Sequence, residues 1–310
     1  MRKIVTIGET VFDIIFKNNR PVGATPGGAM LNTAVSLGRL RLPVSLITEF
    51  GDDLVGRRIE AFLAANHVGP DFISRYQDGK TALAIAFLDQ NDKAEYDFYR
   101  LFPPARLQGR LPEFQEDDLV LFGSFFSLDR AVRARLVAII RRAKAAGAII
   151  LYDPNFRKAH LHELEELLPL IQENIGSADI VKGSDDDFRM MCRTEEPEKI
   201  FSFIKTHGCS NLILTQGAGD VILRTESMTR RYPVPRIDLV STIGAGDNFN
   251  AGMLFALHRL AVSKSAIADP PALDWDKVIA RAIDFAQNVC QSYENFITPE
   301  FAQNILDIPF

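Results

Sequence analysis

Residues 119–152 read LVLFGSFFSLDRAVRARLVAIIRRAKAAGAIILY. An apolar run, Leu119–Gly123, leads into Asp129–Ala146, where Val132, Leu136, Ile139, Ile140 and Ala143 recur at helical spacing. Gly147 then closes the helix, as a glycine just past the last turn commonly does. A second unbroken apolar run, Ala148–Tyr152, follows. Strands apolar at every position are those buried on both faces. Two such strands joined by a helix form a parallel crossover unit.

The same rhythm extends in both directions. Strand-like runs at Lys3–Gly8, Val44–Gly51, Asp179–Lys182 and Asn211–Thr215 alternate with helical stretches at Ala29–Leu40, Asp53–Asn66, His162–Asn174 and Pro197–His207. The pattern predicts an α/β fold with a doubly wound, mostly parallel sheet, in a single domain over residues 1–310. Two segments break it. Val11–Pro21 reads as a strand and turn directly after the first strand, and Thr81–Leu88 with Glu95–Arg100 alternates as a hairpin joined by Asp89–Ala94. These insertions, residues 11–22 and 72–106, predict a small β-sheet standing off the main domain. Such a sheet serves as a lid that shields a reacting centre from water, or as a structural or dimer-forming surface; the two roles are compatible.

Composition narrows the partners. The formal net charge is -5 and no basic stripe appears, so a nucleic-acid backbone is not an expected partner. No apolar run reaches the length of a membrane span. The opening MRKIVTIGET is too short in its apolar stretch for a signal peptide and reads as a strand. Cys192, Cys209 and Cys290 lie far apart with no CxxC pair, so idle thiols in a reduced, cytoplasmic setting are expected. Neither the Walker pattern nor a dinucleotide fingerprint after the first strand is present.

Ligands of open parallel sheets bind beyond the carboxyl ends of the strands. The polar residues there are Glu9 and Asp13, Asp153-Pro154-Asn155-Phe156-Arg157, Gly183-Ser184-Asp185-Asp186-Asp187 and Gln216-Gly217-Ala218-Gly219. Each has a plain alternative: the Asp153 segment as a turn, Ser184 as a helix N-cap. The strongest local signal is Ser241-Thr242-Ile243-Gly244-Ala245-Gly246-Asp247-Asn248-Phe249-Asn250-Ala251-Gly252, a glycine-rich turn opening a helix. Glycines let backbone amides converge on an anion, and the helix N-terminus adds partial positive charge. Asp247 at the helix start is placed to take a proton from an attacking hydroxyl while the amides of Gly244, Ala245 and Gly246 stabilise a phosphoryl group, the division of labour that phosphoryl transfer requires. The open alternative is a tight turn with Asp247 as a cap. In Pro26-Gly27-Gly28-Ala29-Met30-Leu31-Asn32, bare backbone permits close approach of a ligand and the Asn32 amide can both donate to and accept from sugar hydroxyls. The alternative is a loop before a core helix.

Gly27-Gly28-Ala29-Met30-Leu31-Asn32 and Thr242-Ile243-Gly244-Ala245-Gly246-Asp247, in this order and separation, resemble the two signatures of the ribokinase-like (PfkB) carbohydrate kinases. The similarity covers nearly the whole chain and weakens toward its C-terminal end. The resemblance implies an ATP-dependent kinase acting on a small sugar, with Asp247 as base and Gly244-Ala245-Gly246 as anion hole. It implies sugar contacts at Asp13, Gly27, Gly28, Asn32 and Arg157, with Phe98 on the lid. Nucleotide and phosphate contacts map to Lys182, Ser184, Thr215 and Gly217. Gln287 or Asn288 is the suggested wall at the adenine end. Mg²⁺ would arrive with ATP, near Asp187. Gly8-Glu9-Thr10-Val11-Phe12-Asp13, Asp97-Phe98-Tyr99-Arg100 and Asp153-Pro154-Asn155-Phe156-Arg157 look most like fructokinases. Kinases of 2-keto-3-deoxygluconate share much of this pattern, and there Arg157 would meet a carboxylate. Ser241 stands where the family usually has an aspartate of a monovalent-cation site, which puts potassium activation in doubt. Tyr293-Glu294-Asn295-Phe296 replaces the family's usual Gly-Ala pair. A sugar-binding protein that kept the fold and lost catalysis is the alternative of another class. Pairing of lid sheets suggests a homodimer.

Overall fold

Two separate sheets organise the chain in a computed structural model that describes residues 2–88, 94–268 and 273–308. In chain order the strands are β1 (Ile4–Ile7), β2 (Val11–Lys17), β3 (Arg20–Gly27), β4 (Val44–Gly51), β5 (Ile73–Tyr76), β6 (Lys80–Leu88), β7 (Ala94–Leu101), β8 (Leu119–Gly123), β9 (Ile149–Asp153), β10 (Ile180–Ser184), β11 (Asn211–Thr215), β12 (Asp220–Thr225) and β13 (Thr229–Pro233). The helices are α1 (Ala29–Arg39), α2 (Leu54–Ala65), α3 (Arg130–Ala145), α4 (Leu164–Ser177), α5 (Asp185–Cys192), α6 (Pro197–Thr206), α7 (Ala245–Arg259), α8 (Lys264–Ala268), α9 (Trp275–Cys290) and α10 (Pro299–Leu306).

The large sheet has nine strands in the order β13-β12-β11-β10-β9-β8-β1-β4-β5. Pairing is parallel from β11 through β5, and only β12 and β13 run antiparallel. Side chains alternate between two cores, one on each face. Ile4, Leu119, Leu121, Ile149 and Leu151 join the core that holds α1, α7 and α9. Val5, Ile7, Val120, Phe122, Ile150 and Tyr152 join the core that holds α3, α4 and α6. Burial on both faces explains why these strands are apolar throughout. In α3, Val132, Leu136, Ile139, Ile140 and Ala143 are the buried residues, and Asp129 caps the helix through the Ala131 amide at 2.9 Å. The helix is followed by Gly147 at φ 81, a left-handed position that glycine adopts without steric cost.

The small sheet has the order β3-β2-β6-β7. β2 pairs antiparallel with β3 and parallel with β6, and β6 pairs antiparallel with β7. The predicted hairpin is therefore β6–β7; its joining residues 89–93 lie outside the described residues. Ile73–Tyr76 falls inside the stretch expected to form the insertion, yet as β5 it pairs with β4 at the edge of the large sheet. The small sheet draws on residues 11–27 and 80–101.

Register assigns its faces. Thr25, Asp13, Ala84 and Phe98 are successive partners across the four strands and so share one side, where Ala82, Ala84 and Ala86 are buried against the main body. The other side carries Phe12, Ile14, Phe16, Leu83, Ile85, Phe87 and Tyr99, with the Phe16 and Phe87 rings 5.4 Å apart. Glu95 and Asp97 of β7 share this side, opposite Phe87 and Ile85, so its polar residues lie at the β7 edge while the part formed by β2 and β6 is apolar.

Candidate active site

Asp247 and Asn32 are 215 positions apart in the chain, and the fold brings them into contact. α1 and α7 pack side by side, and Asn32 Nδ2 donates to Asp247 Oδ2 at 2.7 Å. The Thr33 hydroxyl donates to the Asp247 backbone oxygen at 2.8 Å, which fixes the register of the two helices. Both Asn32 and Asp247 are buried, and Asn32 Oδ1 has no hydrogen-bond partner among the described residues. A buried amide oxygen left open in a polar cluster is an acceptor waiting for a ligand donor. Burial pushes the Asp247 carboxyl above its ordinary range. The Asn32 bond and the positive charges of Arg157 and Lys182 pull it back, while Asp153 adds to the rise.

Gly244 precedes α7 in a left-handed conformation, φ 79. No side chain caps this helix, whereas Asp53, Asp129, Ser184, Asp274 and Thr298 cap α2, α3, α5, α9 and α10. Its Ala245 amide makes a 3.3 Å contact to the Thr242 oxygen, and no side chain competes with an anion for the amides of this first turn. A Cβ built on Gly246 would stand 3.1 Å from the Lys182 ammonium. Lys182, the middle residue of β10, therefore adds a full positive charge beside the helix N-terminus.

That ammonium is itself buried and is paired with Asp153 Oδ2 at 3.0 Å; Asn250 Nδ2 donates to the same oxygen at 2.7 Å. Burial works against the charged lysine, but Asp153, Asp187 and Asp247 outweigh it and hold its pKa above the ordinary value. Asp153 and Asn250 fall within the candidate segments read from the sequence, but neither was assigned a role there. Asp153 stands at the end of a strand and Asn250 one turn beyond Asp247, signals too common to single out either one.

On the small sheet, Asp13 is a charged group in an apolar setting. Burial pushes its carboxyl up to about 6. Gly27, the β3 partner of Val11, lies diagonally from it: a Cβ there would be 2.0 Å from Asp13 Oδ2, so the carboxylate occupies the space that glycine leaves open. Gly28 is held at φ 126 with its Cβ position 2.4 Å from the Glu9 backbone oxygen. Phe98 is half exposed on the same side as Asp13, stacked on Tyr96 at 6.0 Å and covered by the Arg100 guanidinium at 4.4 Å. Arg100 in turn forms a two-pronged ion pair with Glu9, at 3.0 and 3.2 Å, which ties the end of β7 to the end of β1. The Arg157 backbone oxygen accepts from the His160 amide at 2.9 Å, while its guanidinium makes no hydrogen bond or ion pair among the described residues. Its charge opposes the rise at both Asp247 and Tyr96, so it lies within electrostatic reach of the α7 start and of the small sheet.

The remaining expected residues divide. Ser184 caps α5 in a reciprocal box with Asp187. Asp187 Oδ2 accepts from the Ser184 amide and hydroxyl, each at 2.7 Å, and Oδ1 accepts from the Phe156 amide at 2.7 Å. Asp187 thus ties the loop after β9 to α5. Thr215 and Gly217 lie at the carboxyl end of β11, beside β10, with Gly217 at φ 56 and open space around it. Asn288 uses its side-chain oxygen to hold the Thr298 amide at 2.9 Å, and Gln287 donates to the Pro235 oxygen at 2.7 Å.

Two ions that the resemblance brings into question were tested against these residues. No group of three or more His, Cys, Asp or Glu side chains able to hold a metal occurs among the described residues. Both Asp187 oxygens already accept hydrogen bonds from the chain, so the residues present would leave most of a magnesium ion's coordination to phosphates and water. Ser241 Oγ accepts from the Ile243 amide at 3.2 Å and carries no charge, so position 241 does not supply the carboxylate of the family's monovalent-cation site.

Comparison with known proteins gives the family and the fold. The pfkB family of carbohydrate kinases matches residues 1–296. The chain belongs to that family. Among curated proteins, it is 29% identical over 262 residues to the aminoimidazole riboside kinase of Salmonella typhimurium, covering 84% of this chain and 82% of that one. It is 27% identical over 279 residues to the fructokinase of Vibrio alginolyticus, covering 89% and 90%. Among solved structures, aminoimidazole riboside kinase from Salmonella enterica, complexed with aminoimidazole riboside and an ATP analog, superposes with a TM-score of 0.80 at 25% identity, covering 99% of this chain and 100% of that one. Fructokinase from Xylella fastidiosa with bound ATP superposes with a TM-score of 0.81 at 22% identity, covering 99% and 98%, a likeness of fold.

Proposed function

We propose that this carbohydrate kinase transfers the γ-phosphate of ATP to a hydroxyl of fructose, with Asp247 as general base and the amides of Gly244, Ala245 and Gly246 as anion hole. One observation carries the reading: a buried carboxylate sits in the first turn of a helix whose amides have no cap, and the Lys182 ammonium lies against Gly246. The sugar hydroxyl gives its proton to Asp247 as its oxygen attacks phosphorus. Burial makes that carboxylate a stronger base, while Asn32, Arg157 and Lys182 keep it ionised. Asn32 Oδ1 takes a second sugar hydroxyl. The amides and Lys182 stabilise charge on the equatorial phosphoryl oxygens. Asp13, Gly27, Gly28 and Phe98 form the sugar side of the site, under the small sheet acting as a lid. Thr215 and Gly217 line the nucleotide side. Ser184 and Asp187 shape the loop between the two sides, and Asn288 supports the tail beside the adenine end. Magnesium, brought by ATP, supplies charge neutralisation on the phosphates.

Fructose is favoured by the fructokinase-like segments around Asp13, Phe98 and Arg157 and by relatives such as the Vibrio alginolyticus fructokinase. The unpaired Arg157 favours a second reading, a sugar acid such as 2-keto-3-deoxygluconate, whose carboxylate suits a guanidinium fork. The test is ADP release with fructose, 2-keto-3-deoxygluconate and aminoimidazole riboside. Turnover of fructose is expected, and no turnover of fructose with turnover of either other compound overturns the assignment. The apolar outer face of the small sheet supports a second copy of the chain as its partner. Light scattering is expected to give the mass of two chains, and a single-chain mass at all concentrations refutes the pairing.

A further inference from the structure

Asn248 follows Asp247 in α7, is fully buried, and has no route to a substrate. Its side chain is nonetheless engaged on every side. Nδ2 donates to the Gly244 oxygen at 2.8 Å and to the Asn295 oxygen at 2.9 Å. Oδ1 accepts from the Ser36 hydroxyl at 2.5 Å, and Ser36 Oγ accepts from the Ile297 amide at 3.1 Å. Two carbonyl partners require the NH₂ on one side of the amide, and the hydroxyl completes the other, so its orientation is unambiguous. Three segments distant in sequence, α1, the start of α7 and residues 295–297, meet at this one side chain.

Its first partner is the peptide that matters. The Gly244 carbonyl and the Ala245 N–H belong to one rigid plane and point in opposite directions. Gly244 lacks a Cβ and sits at φ 79, the residue type and region in which a peptide plane turns over most easily. The Ala245 amide has only a 3.3 Å contact to the Thr242 oxygen to hold it from its own side. The Gly244 oxygen is held from behind, by the Asn248 backbone amide at 2.9 Å and by the Asn248 side chain. On the remaining flank the Asn295 oxygen stands 3.1 Å from where a Cβ of Gly244 would be. An anion hole acts without reorganisation only if its amides are already aimed.

We propose that Asn248 is a positioning residue of the anion hole: by holding the Gly244 carbonyl it aims the Ala245 amide at the transferred phosphoryl group, and Ser36 holds Asn248 in turn. The inference rests on the reading of residues 244–247 as the phosphoryl-transfer site. It also gives residues 295–297 a part in catalysis, since the same amide joins them to Gly244.

The test uses the full chain and its Asn248→Ala and Ser36→Ala variants, with fructose and MgATP as substrates. MgADP binding is measured by calorimetry with and without aluminium fluoride, which stands in for the phosphoryl group in transit. Removing one direct oxyanion donor costs roughly 100- to 1000-fold in kcat, so mis-aiming the hole by Asn248→Ala is expected to cost about 10- to 100-fold. The KM for fructose and the affinity for MgADP alone should stay within about threefold, because neither needs an aimed hole. The tightening of MgADP by aluminium fluoride should be largely lost. Ser36→Ala should show the same pattern at about a third to a tenth of the size. If Asn248→Ala does not fold, Ser36→Ala decides alone. Unchanged kcat and an unchanged aluminium fluoride effect, with only a lower melting temperature, overturn the proposal. If the wild-type chain shows no aluminium fluoride effect, or Asp247→Asn turns over normally, the site reading fails and takes the proposal with it. If Asp247→Asn is inactive and Asn248→Ala is normal, the proposal alone fails.

Discussion

Replacing Asp13 by asparagine removes a charge that the fold holds away from water, and the structure gives the size of the effect. The Asp13 carboxyl is pushed up to about 6 by burial, from 3.8 in the unfolded chain. A carboxyl raised on folding binds its proton more tightly in the native state, so stability declines as pH climbs through the window from 3.8 to about 6 and is lowest above it. The shift corresponds to about 3 kcal/mol at pH 8, as an upper bound, and to under about 1 kcal/mol at pH 4. Asparagine has nearly the same shape and no charge to desolvate, so the ligand-free variant should gain up to about 3 kcal/mol at pH 8 and little at pH 4. With about 2.1 cal/mol/K of unfolding entropy per residue, a gain of 3 kcal/mol over 310 residues raises Tm by about 4–5 °C. The assay is thermal unfolding of both proteins without ligand at the two pH values, with fructose affinity measured in parallel. Affinity should fall about 10- to 100-fold, because a charged acceptor for sugar hydroxyls is worth about 1.5–3 kcal/mol. A binding residue that costs stability is the expected signature of a functional site. An Asp13→Asn protein less stable than the wild type at pH 8, or equally stable at both pH values, would refute this account of the carboxylate.

Two further outcomes follow from the same geometry. Lys182→Met leaves Asp153 charged, buried and short of its partner, and should cost about 3–5 kcal/mol in denaturant unfolding; adding Asp153→Asn should recover at least half of that, and no recovery would contradict the pairing. On the proposed mechanism the ionised form of Asp247 is the working form, and burial raises its pKa, so kcat should decline as pH falls through a value above that of an exposed aspartate. Arg157→Ala removes a charge that opposes the rise and should move that acid limb to still higher pH; movement to lower pH would contradict the placement of Arg157.

The core could be read from the sequence because its strands have a single environment. Runs such as Ile149–Asp153 are buried at every position, and an unbroken apolar stretch followed by a periodic helix has few other solutions. β3 escaped because Arg20–Gly27 contains two prolines and two glycines, poor strand formers, and is held as an edge strand by pairing with β2 alone. β12 and β13 escaped because they add to the sheet antiparallel, as a short hairpin with charged residues on one side. In the site, glycine spacing singled out both Asp247 and Asn32, but no local pattern could announce a hydrogen bond across 215 positions. Asp187 illustrates the opposite limit. Its spacing from Ser184 is visible as a capping pair, while its hold on the Phe156 amide appears only once β9 and β10 lie side by side. The Lys182–Asp153–Asn250 cluster was equally hidden, since each member is an ordinary residue until the fold buries all three.

The central claim is that the carboxylate of residue 247 takes the proton from the sugar hydroxyl. Asp247→Asn keeps the shape and the neighbours of that side chain and removes its basicity. Measured by ADP release under saturating MgATP and fructose, turnover should fall by at least about 100-fold, within the range for loss of a general base, while fructose binding by calorimetry stays close to that of the wild type. Turnover near the wild-type rate with binding intact would contradict the account.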